Sequence, residues 1–205
     1  MLTWDEYYSR SEPVWGAPPD DLLVDLATSM PRGTALDLGC GEGRNALWLA
    51  TRGWQVTAVD SSPVAVTRAR AVAARSPRSV RERLDFRLGS AADVRWENEY
   101  DLALVLYVHV PPPERRQIVN HAISALKPDG TLMISGYDVT DPGSWGDLPI
   151  ERENLYDTTQ FTEELADRLT ISQIGQRRRE IGPGFAVDAV VVGRTPILGT
   201  SLDPA

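Results

Sequence analysis

The chain has 205 residues and a mass of 22.6 kDa, with 42% hydrophobic and 24% charged residues, the balance of one globular domain with a substantial core. This excludes a disordered tail, a collagen-like fibre and a disulfide scaffold, and a net charge of −8 (21 basic against 29 acidic residues) speaks against a nucleic-acid partner. No apolar run reaches the ~20 residues of a membrane span. The single cysteine, Cys40, has no intramolecular partner, and MLTWDEYY at the start lacks the basic and apolar regions of a secretory signal. A cytoplasmic protein with no membrane partner is expected.

Residues 20–29 open on an Asp-Asp pair and place Leu22, Leu23, Leu26 and Ala27 on one face, which predicts a capped helix. The apolar run 34–38 predicts a strand that stops at a glycine cluster. Residues 44–51 predict a helix closed by Gly53, and 54–59 a strand ending in Asp60. Ser61, Ser62 and Pro63 read as a helix start. The helix they open ends at Ser76 and Pro77 and presents Ala65, Ala69, Val72 and Ala73, which let it lie close to a sheet. Strands are predicted at 84–88 and 102–107. Pro111, Pro112 and Pro113 precede a helix with Ile118, Ala122, Ala125 and Leu126 inward, and a turn at 127–130 leads to a strand at 131–135. A short helix at 161–169 precedes strands at 171–177 and 185–193. Their link, 178–184, is too short for a parallel crossover, so they form an antiparallel hairpin. Residues 194–205 read as a loose tail. Apolar strands alternating with helices imply an α/β fold with a mostly parallel sheet covered on both faces.

The strongest local signal is Asp37-Leu38-Gly39-Cys40-Gly41-Glu42-Gly43, between the first strand and its helix. Glycine lets the backbone turn sharply and approach a ligand, and the helix start offers free N–H groups. Asp60 ends the next strand, 21 residues after Gly39, where a carboxylate accepts from both hydroxyls of a ribose. Together they predict an adenosine-type cofactor at the C-terminal edge of the sheet. A dinucleotide site wants a third glycine where this chain has Arg44, a bulky side chain in the path of a pyrophosphate.

The D-x-G-x-G-x-G form resembles motif I of class I S-adenosylmethionine-dependent methyltransferases, and Gly43 to Ala50 (GRNALWLA), with Trp4-Asp5-Glu6 and Tyr8, resembles the tellurite-resistance (thiopurine-like) branch. The resemblance implies a three-layer Rossmann-like fold whose seven-stranded sheet ends in an antiparallel strand, and S-adenosylmethionine as cofactor. It puts Gly39, Cys40 and Gly41 against the methionyl part, Asp37 near its ammonium, Arg44 near its carboxylate, and Asp60 on the ribose. Ser61 and Leu106 border the cofactor. At the adenine end the family often has an aspartate; here the position is Ser90, with Ala91 beside it and Asp93 three residues on as a substitute. Trp4, Tyr8 and Trp15 belong to an N-terminal cap segment, residues 1–30, whose aromatic faces suit a sulfonium.

The acceptor is less legible. His109 follows the fourth strand at the edge where the methyl lies, and is the candidate general base, with Tyr107 two residues before it on the same side if the strand persists. Tyr137, after the fifth strand, is the second catalytic candidate, with Asp138 beside it. Residues 137–160 are long for a loop and read as a substrate lid, which points to a small-molecule substrate such as a thiol, hydroxyl, amine or metalloid anion. No metal is expected, and the chain is a monomer or homodimer. Seven arginines between 68 and 87, and Arg177 to Arg179, read as solvated faces. An NAD(P)-dependent oxidoreductase and a non-catalytic cofactor-binding domain are the rival readings.

Overall fold

Seven strands form one sheet in the order β3-β2-β1-β4-β5-β7-β6. They are β1 (Thr34–Leu38), β2 (Gln55–Asp60), β3 (Leu84–Leu88), β4 (Tyr100–Leu106), β5 (Leu126–Tyr137), β6 (Thr170–Ile181) and β7 (Gly184–Arg194). β1 to β5 are parallel; β7 runs antiparallel between β5 and β6. This computed structural model describes residues 2–10, 18–182 and 184–197.

The central strands are mainly apolar because both their faces are covered. Ala35, Leu102, Leu104 and Met133 meet α2 (Asp21–Ser29), α3 (Arg44–Thr51) and α4 (Pro63–Arg75) on one side. Leu36, Leu38, Ala103, Val105 and Ile134, one residue out of phase, meet α6 (Pro112–Ala125) and α7 (Thr158–Leu165) on the other. Each fully buried leucine contributes about 1.5–3 kcal/mol. On α4 the inward residues are Ala65, Val66, Ala69 and Ala73; Val72 is only half-buried.

Helix starts follow their local chemistry. The Asp20 carboxylate accepts from the amides of Leu22 and Leu23. Ser62 Oγ accepts from Ala65 N, with Pro63 in the first turn. Asp157 accepts from Thr159 N, so α7 begins at Thr158 and ends at Leu165, earlier than the 161–169 expected.

The structure differs from the sequence reading elsewhere too. β5 begins at Leu126 rather than after the 127–130 turn, which becomes an irregularity inside the strand: Asp129 has φ 61° and the register with β4 shifts. The hairpin strands are longer than expected, and the link shrinks to residues 182–183. Arg194 belongs to β7, and Thr195 N donates to Gly130 O at 3.0 Å, so the tail is tied at least that far; residues 198–205 lie outside the described ones. Two short helices were not anticipated, α1 (Trp4–Arg10) and α5 (Arg78–Arg81).

Candidate functional site

The C-terminal ends of the parallel strands carry the glycine loop. Gly39 N and Cys40 N both donate to Val59 O, at 2.8 and 3.0 Å, which folds the loop back against β2. Gly39 and Gly41 have φ of 74° and 55°, in the left-handed region. A Cβ on Gly39 would stand 2.5 Å from Val108 Cγ2, and one on Gly41 2.7 Å from the Tyr8 hydroxyl. Gly43, before α3, has no side chain to cap the helix, and the Ala46 amide in its first turn is bonded by the Asp37 carboxylate.

Asp60 sits beside this loop. Its Oδ2 accepts from Gly41 N at 2.7 Å and its Oδ1 from Ser62 N at 2.9 Å. Burial raises its pKa, opposed by the amides of Ser62, Gly41 and Ser61. Helix α1 docks over the loop: Asp5 Oδ1 accepts from Ser62 Oγ at 2.7 Å. Trp4 and Tyr8, one turn apart on α1, then face the same space, with ring centroids 6.0 Å apart.

Two adjoining cavities result. The smaller, about 90 Å³, is lined by Asp60, Ser61, Ser90 and Ala91, with Val110 before α6 and Glu114 and Ile118 on it. The larger, about 480 Å³, is lined by Cys40, Gly41, Arg44, Leu106, Tyr137 and Arg179, among others. Trp4, Tyr8, Gly39, Tyr107 and His109 border both.

Asp37 lines neither cavity, but lies 1% exposed beneath the loop, and its Oδ2 has no hydrogen-bond partner among the described residues. Burial and the neighbouring Asp60 push its pKa up to about 7, against Arg44 and the Ala46 amide. A group held above its unfolded pKa stabilises the protein at low pH, and that stability is lost as pH rises through the folded value. We therefore expect Asp37→Asn, in the absence of ligand, to gain stability relative to wild type between about pH 4 and 7. Urea unfolding of both proteins at pH 4 and pH 8 tests this. An unchanged difference would show that the carboxylate titrates normally.

The wall opposite the glycine loop differs from expectation. β4 ends at Leu106, and Tyr107 has φ 57°, so the strand does not persist to His109. His109 is 4% exposed and both ring nitrogens are engaged: Nδ1 lies 3.1 Å from Asn154 O, and Nε2 accepts from Tyr137 N at 3.3 Å. The proton is therefore on Nδ1, donated to the carbonyl. Burial, aided by the Arg115 charge, lowers the histidine to about 4 against that carbonyl bond. In this geometry the lone pair that a general base would use is occupied by the Tyr137 amide. Tyr137 faces the cavity, whereas Asp138 is fully buried, its Oδ1 accepting from Thr140 and Gln176.

Residues 137–160 are packed against the fold rather than draped over it. Asp138 and Tyr156 form a parallel bridge, Tyr156 is fully buried, and its hydroxyl donates to Val108 O at 2.8 Å. Leu148 and Ile150 nonetheless reach the larger cavity, so the segment does contribute to it.

Of the other expected residues, Asp93 is exposed and lines neither cavity, while Ser90 and Ala91 do; the Ser90 hydroxyl accepts from Ala92 N. Arg44 donates to Pro18 O at 3.2 Å and faces the larger cavity. Burial pushes the Cys40 thiol up, with Asp37 and Asp60 adding to it, as suits a packing residue. Trp15 lies outside the described residues. Arg179 is not part of a solvated face: it makes a two-pronged pair with Asp188 at 2.8 and 3.2 Å, and Tyr107 donates to the same carboxylate at 2.9 Å. Neither Arg179 nor Asp188 was a candidate, since strand alternation marks a face but not what the face meets. Among the described residues no cluster suited to a metal ion occurs, and no helix is long and apolar enough to cross a membrane.

Residues 35–130 match a family described as methyltransferase domain. The chain is 35% identical over 116 residues to the ubiquinone biosynthesis O-methyltransferase of Xanthomonas campestris, covering 55% of this chain and 46% of that one. It spans about half, or less, of the length of the first curated relatives it matches. Among solved structures it superposes on TehB from Haemophilus influenzae with a TM-score of 0.72 at 18% identity, over 93% of this chain and 66% of that one. It also superposes on magnesium protoporphyrin IX methyltransferase from Synechocystis, crystallised with S-adenosylhomocysteine, with a TM-score of 0.67 at 20% identity over 86% and 79%. TehB is one such neighbour among many, so the likeness does not single out the tellurite-resistance branch. The part of the chain that is similar to the methyltransferase domain family, residues 35–130, is the part that builds the glycine loop, the Asp60 carboxylate and the Ser90 turn.

Proposed function

We propose that the protein is an S-adenosylmethionine-dependent methyltransferase that acts on a small molecule. The observation that carries this reading is the meeting of two cavities at Gly39, Tyr107 and His109, one with a carboxylate suited to ribose and one large enough for an acceptor. The residues present fit the cofactor. Asp37 offers an unpartnered carboxylate oxygen to an ammonium, and the glycine loop leaves room where a Cβ would clash. Asp60 would hold the ribose hydroxyls, and Ser61, Ser90 and Ala91 the adenine edge. Trp4 and Tyr8 would close over it from α1.

When bound, S-adenosylmethionine supplies a methyl group on a positively charged sulfur that is already a good leaving group. What remains for the chain is positioning and exclusion of water. The aromatic faces of Trp4 and Tyr8 favour a cation beside them. Tyr107 and Tyr137 present the acceptor, and His109 fixes the Tyr137 main chain. Arg44 and the antiparallel β7 disfavour the oxidoreductase reading.

Saturating S-adenosylhomocysteine, at a hundredfold excess over its dissociation constant, is expected to add about 2.7 kcal/mol of stability. Thermal unfolding with and without it checks this, with NADH as the comparison. A shift with NADH and none with S-adenosylhomocysteine would overturn the reading. Failure to transfer a labelled methyl to any thiol, phenol or metalloid anion, despite binding, would favour a non-catalytic domain.

A further inference from the structure

The acceptor cavity has an aromatic lining with a fixed cation, Arg179, beside it. Tyr107 and Tyr137 lie edge to face with centroids 5.4 Å apart, and His109 stacks on Tyr137 at 5.5 Å. Leu148 and Ile150 add apolar surface. The Arg179 guanidinium carbon lies 5.6 Å from the Tyr107 ring centroid and 6.0 Å from that of Tyr137. The Arg179 guanidinium opposes the upward push of burial on the Tyr137 hydroxyl.

The strands explain why these groups meet. Tyr137 on β5 lies directly opposite Asp188 on β7, and Arg179 on β6 lies opposite Ala186. Arg179 and Asp188 are thus diagonal neighbours on one face, and the Asp188 carboxylate, 2% exposed, fixes the guanidinium in place. The other charged groups around the cavity are Asp20 and Asp21 at the start of α2, Glu42 and Arg44 on the glycine loop, and Glu180 beside Arg179. Asp20 is occupied with the Leu22 and Leu23 amides, Glu42 is paired with Arg68, and Asp21 lies 4.0 Å from Arg177.

Resting on the methyltransferase reading above, we propose that the acceptor is a planar aromatic hydroxyl that reacts as its own oxyanion, held by Arg179 and Tyr137, with no side chain taking its proton. The ring lies among the tyrosines, and the phenol loses its proton to solvent before transfer. A lone pair on the aryl oxygen then forms the O–CH3 bond as the S–CH3 bond breaks, and that bond's electron pair stays on sulfur. A fixed cation beside the oxygen favours the ionised form and orients it. His109 does not serve as base, because both its nitrogens are engaged.

The test is methyl transfer by the full chain from labelled S-adenosylmethionine to a series of monocyclic phenols of graded acidity and their aniline counterparts. S-adenosylhomocysteine affinity is measured calorimetrically alongside. Phenols are expected to react, with a pH–rate limb that moves with the phenol's own pKa. Anilines are expected to be slower by about 10²-fold or more. Arg179→Gln should cost about 10²–10³-fold in kcat/KM while S-adenosylhomocysteine binds as before. Because that change leaves Asp188 buried and unpaired, the double variant Arg179→Gln/Asp188→Asn serves if the single one fails to fold.

Anilines reacting as well as phenols, or a limb fixed in pH across the series, would overturn the proposal. So would loss of that limb in Tyr107→Phe, since it would mean that the Tyr107–Asp188 pair carries the proton. Binding of S-adenosylhomocysteine with no transfer to any phenol overturns the acceptor assignment alone. Absence of that binding overturns the reading beneath it.

Discussion

Replacing Asp60 by alanine is expected to weaken S-adenosylhomocysteine binding by about 10²–10⁴-fold. Two charge-assisted hydrogen bonds to the ribose, each about 1.5–3 kcal/mol, disappear together. The same carboxylate holds Gly41 N and Ser62 N, so the variant also loosens the loop that receives the methionyl group. Asp60→Asn separates the two effects. An amide oxygen can keep one backbone bond but carries no charge, so its affinity should fall between those of the wild type and the alanine variant. Calorimetric titration gives the affinities, and circular dichroism shows whether the fold persists. Equal affinity in wild type and Asp60→Ala would mean that the ribose is held elsewhere.

Arg115→Met is expected to be the most destabilising single change to the acceptor wall. Arg115 is 5% exposed, and its Nη1 donates to Asn154 O at 2.8 Å and Leu155 O at 3.3 Å. Its guanidinium carbon also lies 4.6 Å from the Tyr156 ring centroid. Methionine fills much of the space but leaves the Leu155 carbonyl without this donor and removes the stacked cation. Relief of the buried charge offsets part of this. A net loss of about 2–4 kcal/mol follows, or roughly 5–15 °C in Tm for a chain of this size. Because Asn154 O also receives His109, and His109 receives Tyr137 N, the acceptor KM should rise while S-adenosylhomocysteine affinity holds. Arg115→Lys keeps the charge without the planar stack and should lie between. A Met variant within 1 kcal/mol of wild type, an error-sized difference, would show that the carbonyls are satisfied without the guanidinium.

The cofactor half of the site was legible because its chemistry is local. Gly39, Gly41 and Asp60 stand at the ends of adjacent strands whose apolar runs announce them, and Ser62 with Pro63 marks the helix that follows. The acceptor half was not, because it is assembled from distant segments. Arg179 and Asp188 lie on opposite strands of a hairpin, and in sequence Arg179 is one of three consecutive arginines with nothing to distinguish it. His109 borders both cavities, as its place after the fourth strand suggests, but its hydrogen bonds are not legible in the sequence. Its partners, the Asn154 carbonyl and the Tyr137 amide, are main-chain groups that no residue type betrays. Helix α1 was missed for another reason: it buries no residue fully, and is held instead by the Asp5–Ser62 bond and its ring contacts.

The reversed direction of β7 decides which end of the sheet its hairpin serves. Ladder pairing with β5 stops at Tyr137 and Asp188, while β7 continues back to Gly184 along β6, with Val187 also bonded to Asp138 N and the Asp141 carboxylate. Four residues, 184–187, therefore overhang the sheet by about 14 Å, on the side where the glycine loop lies. A parallel strand in that position would have sent its turn to the opposite end. Arg179 and Glu180, near this overhang, line the larger cavity, so changes there alter that cavity while the β1-to-β4 edge, with the glycine loop and Asp60, stays as it is. Under the proposed function, change of acceptor and retention of cofactor become independent variables.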